Sequence, residues 1–179
     1  MNIGSVAVFC GSHAGNNPVY TKQVKELGRL LCMLNVRLVY GGGHKGLMGT
    51  FADSVLEHGG HIMGIIPQFL IESEQQHKGL TEIAVVPDMH TRKKMMYERC
   101  DAVIVLPGGF GTMDELFEIL TWNQLKIHDK KIYILNSEGF YNHLQKQVAL
   151  MQKEGFLIGE TSEKVFFCHS PAEVFNKIS

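Results

Sequence analysis

Three stretches of this chain carry groups that could act on a phosphorylated ligand. Pro107-Gly-Gly-Phe-Gly-Thr112 lies between an apolar run and a helical pattern, where unpaired backbone N–H groups and the positive end of a helix dipole converge on an anion. Gly108, Gly109 and Gly111 would let a phosphate approach the backbone beside Phe110 and Thr112, although glycines also serve a tight strand-to-helix turn. Glu115 follows three residues after Thr112. Closing a T-x-x-E capping box, it would bond back to the Thr112 N–H. Facing a ribose beside the phosphate loop, it would stabilise oxocarbenium-like charge or orient water at the anomeric carbon.

Arg92-Lys93-Lys94 opens the helix before that apolar run. Arginine can clamp a phosphate with two parallel bonds or support charge on a departing base, whereas a charge run is also the usual solvated face of a helix. Gly41-Gly-Gly-His-Lys-Gly46 fits the G-x-G-x-x-G pattern of dinucleotide sites. It follows the second strand, however, and the next strand, ending near Ile66-Pro67, offers no acid for a ribose. A mononucleotide therefore ranks ahead of a dinucleotide. The nine histidines form no H-x-x-x-H or H-E-x-x-H pair, so no metal site is expected. No G-x-S-x-G elbow occurs, and Ser12 after Gly11 reads as a hydrogen-bonding loop residue.

The elements that must position these residues alternate in type. Apolar, β-branched runs at Ile3–Cys10, Val36–Tyr40, His61–Ile66, Ile83–Val86, Ala102–Leu106, Ile132–Leu135 and Val165–Cys168 read as strands. Between them lie helical patterns: one capped by Asn17 with Pro18 at its first position, Leu47–Glu57 closed by Gly59-Gly60, about Met89–Arg99, and one striped by Met113, Leu116, Phe117 and Leu120. Two more cover about Tyr141–Lys153 and a last helix opened by the Ser170-Pro-Ala-Glu173 box. Residues 67–80 are polar and aperiodic, a long loop or irregular helix near the site. Such alternation implies a Rossmann-like doubly wound parallel sheet in a three-layer α/β/α single domain, with Ala102–Leu106 central and ligands outside the carboxyl ends of the strands.

The chain of 179 residues, 45% apolar, matches one domain with a real core. With 17 basic against 18 acidic residues the formal charge is -1, which gives no electrostatic footprint for nucleic acid or an anionic membrane. Four scattered cysteines form no C-x-x-C pair and suit a reducing compartment. With no leader before the first strand and no apolar run of roughly 20 residues, a cytoplasmic location is expected.

Met89-His-Thr-Arg-Lys-Lys-Met-Met96 resembles the M-x-x-R-K-x-x-M motif, and Pro107-Gly-Gly-Phe-Gly-Thr-Met-Asp-Glu115 the P-G-G-x-G-T-x-x-E motif, of the LONELY GUY family of cytokinin riboside 5′-monophosphate phosphoribohydrolases, which older labels call lysine decarboxylases. Cys10-Gly11-Ser12, Gly41-Gly-Gly43 with Gly46-Leu-Met-Gly49, and Leu120-Thr-Trp-Asn-Gln-Leu125 also resemble family segments. The resemblance implies that Arg92 and Glu115 are the catalytic pair and that Lys93 and Gly109 to Thr112 hold the nucleotide. Gly11, Ser12, Gly43, Met89 and Gly108 fall in the matching segments, and Thr121 and Glu74 align with family substrate contacts. It further implies a homodimer without cofactor that releases an adenine-type base and ribose 5-phosphate. His13 replaces a frequent serine, Phe110 a frequent tyrosine, and residues 73–79 depart from the usual loop; these positions bear on whether the substrate is a cytokinin nucleotide or AMP. The competing readings are a nucleotide or cofactor carrier on the same fold and a pyridoxal-phosphate decarboxylase, for which no lysine stands in a recognisable Schiff-base context.

Overall fold

The expected alternation is realised in a computed structural model that describes residues 3–157 and 164–179. The strands are β1 (Ser5–Phe9), β2 (Arg37–Tyr40), β3 (Ile62–Pro67), β4 (Glu82–Val86), β5 (Ala102–Val105), β6 (Lys131–Leu135) and β7 (Val165–Cys168). The helices are α1 (Pro18–Met33), α2 (Gly46–Glu57), α3 (Met89–Glu98), α4 (Phe110–Gln124), α5 (Asn142–Lys153) and α6 (Pro171–Ile178). All seven strands pair in parallel in the order β4-β3-β2-β1-β5-β6-β7. Strand order reverses between β1 and β5, and this switch point is where such sheets open a crevice for a ligand. The centre of the sheet is β1; β5, expected there, lies beside it.

Val6 to Phe9 and Ala102 to Val105 are buried without alternation, because helices cover both faces of a parallel sheet. Leu27, Leu31, Phe51 and Val174 of α1, α2 and α6 pack against one face. Met96, Leu116 and Ile119 of α3 and α4 pack against the other, joined by Leu144 of α5. Gly28 lets α1 and α2 approach, since a Cβ there would sit 2.9 Å from the Ser54 side chain. The Asn17 side chain accepts the Val19 N–H ahead of Pro18, and Ser170 accepts that of Glu173, as the capping signals require. Residues 67–80 hold one 3-10 turn, Gln68–Leu70, amid turns. Among the described residues no helix is long and apolar enough to cross a membrane.

Candidate active site

The loops leaving β1 and β5 meet glycine to glycine. The Gly11 N–H donates to the Pro107 carbonyl at 3.1 Å, and a Cβ on Gly11 would lie 3.2 Å from Gly108 Cα. Beyond this contact α4 begins earlier than the T-x-x-E pattern suggests. Gly109, in extended backbone, is the N-cap, and Phe110, Gly111 and Thr112 are the first three helical residues. The capping box at Thr112 is therefore corrected: Thr112 lies inside the helix, and no side chain caps this terminus. The N–H groups of the first turn have no intrahelical partner. A Cβ on Gly109 or Gly111 would meet nothing within 4 Å, and neither residue has a positive φ. Packing and turn geometry do not demand glycine at these two positions, and the bare backbone leaves room for an anion to approach the first-turn N–H groups.

Arg92 reaches the same crevice from α3, whose N-cap Asp88 accepts the Thr91 N–H at 2.7 Å. Only 4% exposed, it donates from Nη2 to the Gly41 carbonyl at 3.1 Å, and Nη2 lies 3.6 Å from Glu74 Oε2. A Cβ on Gly41 would collide with this guanidinium. Arg92 Nε and Glu74 Oε2 are buried without hydrogen-bond partners.

Glu115 stands one turn into α4 and is also buried. Burial raises its carboxyl from 4.5 to about 7; Arg92 opposes the rise, and Glu74 and Asp114 add to it. Burial likewise raises Glu74 against the pull of Arg92, and it pushes the Cys10 thiol far up, with Glu115 adding to the effect. Cys10 is thus an inert wall residue, as are buried thiols in general.

Together these groups enclose a cavity of about 480 Å3, within the ordinary range for small-molecule sites. Of the residues singled out from sequence, Gly11, Ser12, Glu74, Met89, Arg92, Gly108 to Thr112 and Glu115 line it. Phe110 stands almost fully exposed at its rim. Gly43, Lys93 and Thr121 lie outside the lining. Lys93 bridges α3 to α4 through Asp114 at 3.0 Å and Glu118 at 3.2 Å. Burial works against its charge, but these two hydrogen bonds prevail and raise its pKa. Thr121 donates to the Phe117 carbonyl in its own helix. His13, singled out for its departure from the family, also lines the cavity, as do Tyr20 and Phe140, paired edge to face, to which no sequence spacing pointed.

The segment carrying Glu74 is fastened to the loop after β2. Gly43 and Gln76 form an antiparallel bridge, His44 N–H donates to the Gln75 carbonyl at 2.8 Å, and His77 N–H to that of Gly42 at 2.9 Å. The buried His77 places Nε2 2.9 Å from Asp53 of α2, while its Nδ1 accepts the Gly79 N–H at 3.0 Å. One ligand atom each of His44, Asp53 and His77 falls within 4.8 Å of the others, a spacing that could hold a metal. With Nδ1 accepting, the neutral ring carries its proton on Nε2, so Asp53 and His77 form a hydrogen-bonded latch in this arrangement. A separation of 24 residues hid it from the sequence.

A family profile described as "Possible lysine decarboxylase" matches residues 48–178. The cytokinin riboside 5′-monophosphate phosphoribohydrolase of Rhodococcoides fascians is 44% identical over 165 residues, covering 92% of this chain and 83% of that protein. The Arabidopsis thaliana enzyme of the same name, LOG1, is 42% identical over 97% of this chain and 81% of its own length. Among solved structures, the molybdenum cofactor binding protein of Rippkaea orientalis superposes with a TM-score of 0.74 at 21% identity, covering 99% and 96% of the two chains. The molybdenum cofactor carrier protein of Chlamydomonas reinhardtii gives a TM-score of 0.71 at 14% identity, covering 97% and 94%. At such identities the two structures establish a shared fold.

Proposed function

The chain belongs to the LONELY GUY family of cytokinin riboside 5′-monophosphate phosphoribohydrolases, and from that premise we propose that it hydrolyses the N-glycosidic bond of a nucleoside 5′-monophosphate, releasing an adenine-type base and ribose 5-phosphate. The observation that carries the reading is the meeting of a buried carboxyl, Glu115, and a buried guanidinium, Arg92, beside a helix N-terminus whose Gly109 and Gly111 leave open space. The phosphate docks on the first-turn N–H groups of α4. The ribose then lies over Glu115, whose carboxylate stabilises positive charge as the bond to the base lengthens and orients water onto the anomeric carbon. Arg92 neutralises negative charge on substrate or leaving base. Lys93 acts by holding α3 on α4, and Gly43 packs closely against Glu74 of the wall.

The same reading takes the chain as one catalytic domain working as a cytoplasmic homodimer. Phe117, Leu125 and Ile127, all exposed on and just after α4, supply an apolar face for self-association, which light scattering of the purified protein tests. A carrier function is favoured by one observation, the structural likeness to cofactor carriers. The discriminating experiment incubates the protein with AMP and, separately, with isopentenyladenosine monophosphate, and follows base and ribose 5-phosphate by chromatography. Release of both products from either nucleotide supports the hydrolase; tight binding without release supports the carrier.

A further inference from the structure

We propose that Glu74 is the proton donor to the departing base, the acid half of a two-carboxylate site in which Glu115 handles the water; this rests on the N-glycosidase reading above. A purine leaves a ribose as an anion unless a ring nitrogen is protonated as the bond breaks, so the reaction calls for an acid at the base end of the site. Glycosidases divide this labour between two carboxyl groups, one guiding water and one protonating the leaving group.

The order of the sheet says where the base end lies. The phosphate cradle sits at the switch between β1 and β5, and β2 is the next strand beyond β1. Neighbouring strands lie about 4.8 Å apart. A nucleotide anchored at β5 and extended across the strand ends therefore carries its base over the loop after β2, about 10 Å away. Glu74 is held at that place: a Cβ on Gly43 would lie 3.2 Å from Glu74 Cβ. Arg92 occupies the ground between, bonded to the Gly41 carbonyl. Glu115, by contrast, projects from the helix that forms the cradle and belongs to the ribose.

The surroundings of Glu74 suit an acid. Its Oε2 is buried with no hydrogen-bond partner, and at 3.6 Å the Arg92 guanidinium stands outside good hydrogen-bonding distance. Burial outweighs the arginine in raising this carboxyl above its ordinary value, as burial also raises Glu115. The bridge at Gly43 and the latch between His77 and Asp53 fix the segment that carries it, as a proton donor working at one atom requires.

In the step itself, the bond from the anomeric carbon to the base breaks with its electron pair leaving on the base. The Glu74 proton passes to a ring nitrogen of that base. Water oxygen bonds to the anomeric carbon and gives its proton to the Glu115 carboxylate. Glu74 ends ionised and Glu115 protonated, and exchange of one proton with solvent at each restores the starting state.

The test compares AMP with p-nitrophenyl ribofuranoside 5-phosphate, whose leaving group departs without protonation. Glu74→Gln is expected to lower kcat on AMP by about 10²- to 10⁴-fold while leaving hydrolysis of the nitrophenyl riboside phosphate within about threefold of wild type, whereas Glu115→Gln loses both. A folded Glu74→Gln protein that loses both substrates equally overturns the proposal, because Glu74 then only positions. Full activity of that variant on AMP overturns it as well. A wild-type protein that hydrolyses neither compound refutes the N-glycosidase reading itself.

Discussion

Two glycine-rich junctions in this molecule read alike in sequence and serve opposite ends. At Gly41 to Gly46 each glycine is committed to the protein. Gly42 and Gly46 have φ of +78° and +60°, a Cβ on Gly41 would strike Arg92, and one on Gly43 would lie 2.8 Å from the Met48 side chain. At Gly108 to Gly111 only Gly108 is so committed, against Thr112, while Gly109 and Gly111 face open space. Glycine there leaves room for the phosphate of the proposed substrate. The first junction, despite matching a dinucleotide pattern, is scaffolding that seats Arg92 and Glu74; the second is the proposed cradle.

The contrast can be broken most forcefully at the chemistry beside the cradle. Glu115→Gln is isosteric and is expected to fold, yet to lower kcat/KM on the nucleotide by roughly 10³-fold or more, measured by product release with a thermal melt as control. The same substitution tests the pH dependence. Because the folded carboxyl titrates near 7 and the ordinary value is 4.5, the folded protein holds a proton that the unfolded chain releases between those values. Stability therefore falls as pH rises from 4.5 to 7, by at most on the order of 3 kcal/mol. Activity rises over the upper part of the same window as the carboxylate forms. Denaturant titrations across this range should show that slope in the wild type and a shallower one in Glu115→Gln, where the raised Glu74 carboxyl still contributes.

A smaller effect, on folding rather than rate, is expected in the scaffold. Gly46→Ala places a Cβ in left-handed backbone against the Ser12 and His13 main chain, and a cost of about 2–4 kcal/mol should appear as a lower melting temperature or insoluble protein. In the cradle Gly111→Ala should do the reverse. It occupies open space at the second residue of α4, so stability should hold or rise by a few tenths to about 1 kcal/mol, while KM for the nucleotide rises roughly tenfold as the methyl keeps phosphate off the backbone. Equal melting temperatures for the two alanine variants would erase the distinction. The smallest effect belongs to Lys93→Gln, which breaks the bridge to Asp114 and Glu118 and should cost about 1 kcal/mol in a melt with KM nearly unchanged. A large rise in KM would return Lys93 to the ligand.

The sheet and its helices were legible because burial leaves a periodic record: unbroken apolar runs for strands covered on both sides, and stripes at helical spacing for α1 and α4. Arg92, Glu115 and the glycine loop were legible for a similar reason, since residue type and position after a strand limit what each can do. The start of α4 was not, because Gly109 takes the cap through its backbone conformation and leaves no side-chain mark. Nor were the pairing of Lys93 with Asp114 and Glu118, the latch of His77 on Asp53, and the approach of Glu74 to Arg92.

By itself, then, the sequence determined the layered α/β architecture, the glycine-rich loops at the carboxyl ends of its strands and the charged residues placed near them. Only the tertiary structure decided which glycines serve packing and which leave room, and which acid shares a cavity with which base. The physical reason is range. Local patterns are set by neighbours within a few residues, whereas burial, ion pairing and desolvation at this site arise between segments that meet only after the sheet has closed.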